Sequence, residues 1–378
     1  MRAAARRSFS DLIAVSLVAG GLIASTLVSA AADTAAKVMH EGDFVLHDFH
    51  FASGETLAEL RLHYTTLGSP QRDAQGHIIN AMMLLHGTGG DGHQFLRPQF
   101  ADILFAAGGL LDPARYYIIL PDNMGHGASS KPSDGLHARF PHYAYADMVE
   151  AQHQLLSKGL GVDQLRLILG TSMGCMHAFM WGELHAASVA VLMPLACLPV
   201  QIAGRNRLWR RMIIDAITSD PAWQNGEYKS EPLEGLRAAA DLFIVVGTAP
   251  AQLQRQYPTR DAADQYTQQT LSEELQSLDA NDLLYQVSAS RDYDPAARLG
   301  EIRAPVMWVN SADDFINPPE LGIAEREVKK IPHGKFVLLP VSELTHGHGT
   351  HTWAVAWQDL LRELLTESGS VSGRIAGH

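Results

Sequence analysis

The chain of 378 residues contains only two cysteines, Cys175 and Cys197. That excludes a disulfide framework as the source of stability, so the fold must rest on a hydrophobic core. A single bridge is permitted in an exported protein. Because Cys175 directly follows the glycine of a turn motif and Cys197 ends an apolar run, both are expected as buried thiols. Basic charge is scarce as well: 29 Lys and Arg face 41 Asp and Glu, a formal net charge of −12. No basic stripe is available to neutralise phosphates, which excludes nucleic acid as a partner class. With 46% hydrophobic and only 19% charged residues, a disordered chain is excluded too. Internal repeats and low-complexity tracts are lacking, and the length suits one large domain or one domain with an insertion.

The longest uncharged run lies at the start. Arg2, Arg6 and Arg7 precede an apolar and small-residue stretch over 12–32, and Val28-Ser29-Ala30 offers an A-x-A-like cleavage site. A signal peptide over residues 1–30 is expected, with a periplasmic or secreted location and no stable membrane insertion after cleavage. An uncleaved anchor is the alternative, since the run is long enough to span a bilayer, but Gly20-Gly21 and the Ala/Ser content oppose it. Arg6-Arg7-Ser8-Phe9 partly matches a twin-arginine signal, while Ser10-Asp11 departs from it, so the export route stays open. Cleavage removes three arginines and one aspartate, and −12 becomes −14.

Beyond the leader, residues 44–68 alternate apolar and polar around Ser53-Gly54, the pattern of an antiparallel hairpin. Apolar runs at 81–86, 116–121, 165–169, 189–195, 304–310 and 335–340 then alternate with helical stretches at 143–158, 174–185, 319–330 and 351–367. Strand and helix repeated this often mean an α/β fold with a mostly parallel central sheet. The alternation breaks after Pro199 and resumes near 296. This divides the chain into a core, 40–199 with 296–370, and an inserted helical lid, 200–295, over the carboxyl ends of the strands, where such sheets bind ligands.

Gly170-Thr171-Ser172-Met173-Gly174 is a G-x-S-x-G pattern between a strand and a helix, where a sharp turn projects a serine oxygen from the sheet edge. A serine hydroxyl needs a neighbouring base, itself oriented by an acid. Two later strand ends supply them: Ser311-Ala312-Asp313-Asp314 and Thr345-His346-Gly347-His348. The order Ser, Asp, His is that of α/β-hydrolases. Asp314, four residues before Pro318, is preferred as the acid, with Asp313 the alternative. His348 is preferred as the base, because Gly347 and Gly349 free its loop and Thr350 can cap the following helix; His346 is the alternative. Metal binding by the His346, His348, His351 run lacks an acidic or Cys partner at ligand spacing, so neither metal nor organic cofactor is required. An oxyanion would meet the N–H groups of Met173 and of Thr88, the latter on the loop Leu84-Leu85-His86-Gly87-Thr88. His86, Asp122 and His126 are read as structural braces. Arg205, Arg207, Arg210 and Arg211 form a charged helical face, from which Arg207 or Arg211 could recognise a substrate carboxylate.

From about 44 to 365 the chain resembles α/β-hydrolases of the homoserine O-acetyltransferase type. The resemblance is carried by Gly170-Thr171-Ser172-Met173-Gly174-Cys175-Met176, by the helical stretch 140–165, and by Asp220-Pro221-Ala222-Trp223 with Gly226-Glu227-Tyr228. It implies Ser172, Asp314 and His348 as the catalytic residues, and a homodimer paired through the lid. One segment departs: Asp122-Asn123-Met124-Gly125-His126-Gly127 is similar to that of ordinary hydrolases. Acetyl-CoA is also a cytoplasmic metabolite. Both points favour water as acyl acceptor and a small ester or related acyl compound as substrate. An acyl-CoA-dependent O-acyltransferase is the runner-up, and a non-catalytic binding protein on the same fold is the third reading.

Overall fold

Residues 39–375 are described by the computed structural model; the expected signal peptide, 1–30, lies outside them. The alternating segment forms the hairpin β1 (Met39–His50) and β2 (Thr56–Leu67), turned at Gly54, whose φ of 89° favours glycine. β3 (Ala81–Leu85), β4 (Tyr117–Pro121), β5 (Leu167–Thr171), β6 (Leu192–Leu195), β7 (Val306–Ser311) and β8 (Gly334–Leu339) complete an eight-stranded sheet. Its order is β1-β2-β4-β3-β5-β6-β7-β8, and β2 alone runs against the others. This is the expected α/β-hydrolase fold with a mostly parallel sheet.

The central strands are apolar at every position because helices cover both faces. Met83, Leu85, Ile168, Leu192 and Trp308 pack on one side, and Met82, Leu84, Leu167, Leu169, Met193 and Val309 on the other, as period-two alternation requires. The helices of the two layers are α1 (Pro98–Leu104), α2 (Tyr145–Gln154) and α3 (Met173–Leu184). A six-residue π-helical turn continues α2 to Leu160. The insertion between β6 and β7 contains α4 (Gly204–Ser219), α5 (Leu233–Gly247), α6 (Pro250–Gln256), α7 (Arg260–Glu274) and α8 (Ala280–Ser288). It has a small core of its own around Trp209, Ile213, Ile217, Leu236 and Leu283. The segment from Asp220 to Tyr228 knots this insertion together. Asp220 accepts from the Ala222 and Gly235 N–H groups at 2.8 and 2.9 Å, and the Trp223 indole donates to Asn281 at 3.0 Å.

Two helical expectations change. Over 319–330 the chain breaks into short turns around α9 (Ile323–Glu327), with Gly322 in the left-handed region. The final helix, α10 (Gln358–Ile375), begins after two 3₁₀ turns, so Thr350 is not its cap. Instead, the Thr350 hydroxyl accepts from the His346 N–H and donates to the Gly347 carbonyl, both at 2.8 Å, and so ties the histidine loop closed.

The expectation of two buried thiols is corrected: Cys175 and Cys197 form a disulfide with Cα atoms 5.9 Å apart. The turn after Ser172 and the end of β6 run side by side, which brings the two residues together. A separation of 22 residues removes loop entropy from the unfolded chain worth about 3 kcal/mol. The double variant Cys175→Ala/Cys197→Ala is expected to lower unfolding free energy by roughly that amount, as measured by urea titration.

Candidate active site

β5 ends in the turn that carries Ser172, held at φ 52° and ψ −108°, a conformation unfavourable for a residue with a side chain. Two N–H groups lock it: Ser172 donates to the Leu195 carbonyl of β6 at 2.8 Å and Gly174 to the His86 carbonyl after β3 at 3.0 Å. Both glycines of the motif are required by contact. A Cβ on Gly170 would lie 1.9 Å from the Gly174 carbonyl oxygen, and one on Gly174 would lie 2.1 Å from that of Leu85.

Ser172 lies 2.8 Å through its Oγ from His348 Nε2, and His348 Nδ1 lies 2.9 Å from Asp314 Oδ2. Three loops thus meet in one hydrogen-bonded chain, that of Ser172 lying more than a hundred residues before the other two, which are 34 residues apart. Asp314 is fully buried, which pushes its carboxyl up. The facing His348, the Asn317 amide and the Ile316 N–H outweigh burial and hold it below the usual carboxylate range. Its Oδ1 accepts from the Ile316 and Asn317 N–H groups at 2.8 and 3.2 Å, and its Oδ2 from the Asn317 side chain at 2.9 Å. Asn317 also donates to the Ala196 carbonyl at 3.0 Å, tying the acid loop to the end of β6.

The two alternatives do other work. Asp313 accepts from the Ser311 hydroxyl and, at 3.1 Å, from the Gly347 N–H, bracing the loop that bears His348. His346 stacks on Trp353 at 3.9 Å, and its Nδ1 meets the Gln252 amide of α6 at 2.5 Å. Neither hydrogen-bonds Ser172 among the described residues.

On the other side of Ser172 the loop after β3 passes close: a Cβ on Gly87 would be 3.3 Å from the Ser172 Cβ. Neither the Thr88 N–H nor the Met173 N–H donates a hydrogen bond among the described residues. His86 is buried, burial pushes its imidazole down to about 4, and its Nδ1–H donates to the Gly87 carbonyl at 2.8 Å while Nε2 accepts from the Asn123 N–H at 3.0 Å. His126 lies 3.0 Å from the Thr88 carbonyl, and burial takes it down to about 3. Asp122 accepts from Gly92 and Ala128 N–H groups at 2.8 and 2.9 Å. All three hold the loops around the site.

The arginine expectation is corrected in part. Arg211 is exposed and pairs with Asp215, one turn along α4, at 2.5 Å. Arg207 is half-buried near Arg210, and neither Arg207 nor Arg211 lines the two largest cavities described. Charge alone could not rank four arginines on one helix. Arg205 instead donates to the Phe315 carbonyl at 2.6 Å and covers the Phe315 ring at 3.9 Å, while Arg210 is buried against Ser290 at 2.9 Å. A cavity of about 570 Å³ lies between the insertion and the loops at Gly89-Gly90 and Gly125–Gly127; Ser172 and His348 do not line it. Asn317 and Gln252 were missed in the sequence: amides carry no charge signal, although Asn317 sits in the same loop as Asp314.

Buried titratable groups give the fold an acid limit. His86, His126 and His177 are held below 6.5 by burial, so as pH falls below 6.5 the unfolded chain binds more protons and they cost stability. Burial raises Glu183 to about 8, Glu231 to about 7 and Asp282 to about 6, and these add stability as pH falls toward their ordinary values near 4. The two sets oppose each other between about pH 4.5 and 6.5. Unfolding free energies from urea titration are expected to vary little with pH over that window. Below it they should fall by at most roughly 1.4 kcal/mol per pH unit for each histidine still neutral in the folded protein.

A family model described as the alpha/beta hydrolase fold matches residues 80–348. The chain is 29% identical over 306 residues to a probable acyltransferase of Methanothermobacter thermautotrophicus, covering 80% of this chain and 91% of that one. Its fold is similar to that of an acetylester hydrolase from Corynebacterium glutamicum, with a TM-score of 0.75, 20% identity and 86% and 96% of the two chains covered. A homoserine O-acetyltransferase from Bacillus anthracis gives 0.76, 19% identity and 87% and 98%. At such identities the structural likeness shows the fold alone. The match over most of the chain, together with these relatives, shows an enzyme of the hydrolase or acyltransferase kind, and the chain belongs to the α/β-hydrolase fold family.

Proposed function

We propose that the protein is an exported serine hydrolase that cleaves a small ester or related acyl compound through an acyl-serine intermediate. The observation that carries this reading is the Ser172–His348–Asp314 chain, with contacts of 2.8 and 2.9 Å. His348 Nε2 takes the Ser172 proton as Oγ attacks the carbonyl, and then gives it to the departing alcohol. A water activated by the same nitrogen releases the acid and restores the serine. Asp314 accepts from His348 Nδ1–H and stabilises the imidazolium formed in each step. The Met173 and Thr88 N–H groups are the donors for the developing oxyanion, each worth about 10²–10³ in turnover. The 200–295 insertion acts as the lid, and the bridge Cys175–Cys197 supports an oxidising, exported location. Exposed Leu208 and Met212 on α4 support pairing of two copies through it.

Asn317 is a positioning residue in this reading. Asn317→Ala frees the acid loop from Ala196 and is expected to lower kcat by about tenfold to 10²-fold with KM unchanged. Steady-state kinetics on a p-nitrophenyl ester measure it.

The second reading, an acyl-CoA-dependent O-acyltransferase of the homoserine O-acetyltransferase type, shares the acyl-serine and parts at the acceptor. Its support is the acyltransferase name of the relative. Mass spectrometry of reactions with acetyl-CoA, with and without homoserine, beside a p-nitrophenyl ester series separates the two. Hydrolysis of the esters with no O-acetylhomoserine is expected; formation of O-acetylhomoserine at a comparable rate would replace the first reading by the second.

A further inference from the structure

At the far end of α3 from Ser172, three side chains with metal-ligating atoms converge outside the site described above. Glu150 and His153 lie one turn apart on α2, and His185 directly follows the last residue of α3. Their ligand atoms all lie within 4.8 Å of one another. The two imidazoles are half-buried and stacked at 4.1 Å, with 15° between their planes. None of their ring nitrogens makes a hydrogen bond among the described residues. Glu150 accepts from Gln154 through one carboxylate oxygen at 2.7 Å, leaving the other oxygen open. A 240 Å³ cavity lined by His153, Ser157, Asp163 and Trp181 opens beside them.

We propose that Glu150, His153 and His185 form a binding site for a divalent transition-metal ion of the zinc and copper class. Two imidazoles and one carboxylate are the donor set such ions take, whereas magnesium and calcium prefer oxygen alone. Tetrahedral ligands about 2.1 Å from a metal are about 3.4 Å apart, so the side chains must close by about an ångström. One ring must also turn out of the stack to aim its lone pair. The ion would pin the C-terminal turn of α3 to α2. At 1.5 Å per residue the helix puts it roughly 18 Å from Ser172, so it takes no part in the reaction.

Trp181 supplies an internal reporter, since its ring lies 4.7 Å from that of His185 and 5.8 Å from that of His153. The experiment titrates untagged protein with Zn²⁺ at pH 7 by calorimetry and tryptophan fluorescence. One equivalent should bind with a fluorescence change, Cu²⁺ should bind more tightly, and Mg²⁺ should give no response. His153→Ala and His185→Ala should each weaken Zn²⁺ by at least about tenfold, while His346→Ala should leave it unchanged. Glu150→Gln, at an exposed position, should also weaken it, and this variant carries the test if a histidine variant fails to fold. Absence of Zn²⁺ binding below about 1 mM, or wild-type affinity in Glu150→Gln and the histidine variants, would overturn the proposal. So would loss of binding in His346→Ala alone, which would move the metal to the loop beside Ser172.

Discussion

Replacing Ser172 with alanine is expected to lower kcat for a short p-nitrophenyl ester by on the order of 10⁶ while leaving the fold intact. A comparable loss is known for a serine hydrolase deprived of its nucleophile, because base and acid have nothing to act on once the oxygen is gone. The hydroxyl's one described partner is His348, so its removal orphans no buried donor. The strained backbone at φ 52° is held by the Leu195 and His86 carbonyls rather than by the side chain, and alanine can occupy it. A fluorophosphonate should label the wild type and not Ser172→Ala. Equal labelling of both would show that Ser172 is not the nucleophile, and turnover within tenfold of wild type would remove the acyl-serine reading.

The second large effect separates two adjacent carboxylates. Asp314→Asn should reduce kcat by about 10⁴, because an amide at that position no longer selects the His348 tautomer that presents a bare Nε2 to Ser172. The Ile316 and Asn317 backbone N–H groups hold the side-chain oxygen at 314 in place, so the main geometry survives and the loss is electronic. Asp313→Asn should cost at most about 10²-fold, since Asp313 touches the backbone of Gly347 and not the imidazole. Equal losses in the two variants, or the reverse order, would reassign the acid. Single-turnover burst kinetics place the effect on acylation.

Much of this site was legible along the chain. The apolar run before Gly170 and the two glycines around Ser172 mark a strand turning sharply into a helix, and the contacts of Gly170 and Gly174 show why no larger residue fits. The spacing of Asp314 to Pro318 and the glycines around His348 pointed to the residues that extend the hydrogen-bonded chain from Ser172. The misses have physical reasons. Thr350 read as a helix cap, yet its hydroxyl closes the loop at 346–350, because two 3₁₀ turns intervene before α10. The arginines of α4 share one helix, and only packing decides that Arg210 is buried, Arg205 covers Phe315 and Arg211 faces solvent.

By itself the sequence determined the α/β architecture, the order in which Ser172, the aspartate pair and the histidine loop arrive, and the turn at Ser172. Those features follow from local periodicity and backbone sterics. Only the tertiary structure decided which of Asp313 and Asp314 meets the imidazole, which of His346 and His348 meets Ser172, and whether the cysteines are thiols or a disulfide. Side chains one or two residues apart on a loop point in different directions, and which of them reaches a partner depends on groups distant in sequence: Gln252 holding His346, Ser311 holding Asp313, and the end of β6 bringing Cys197 to Cys175.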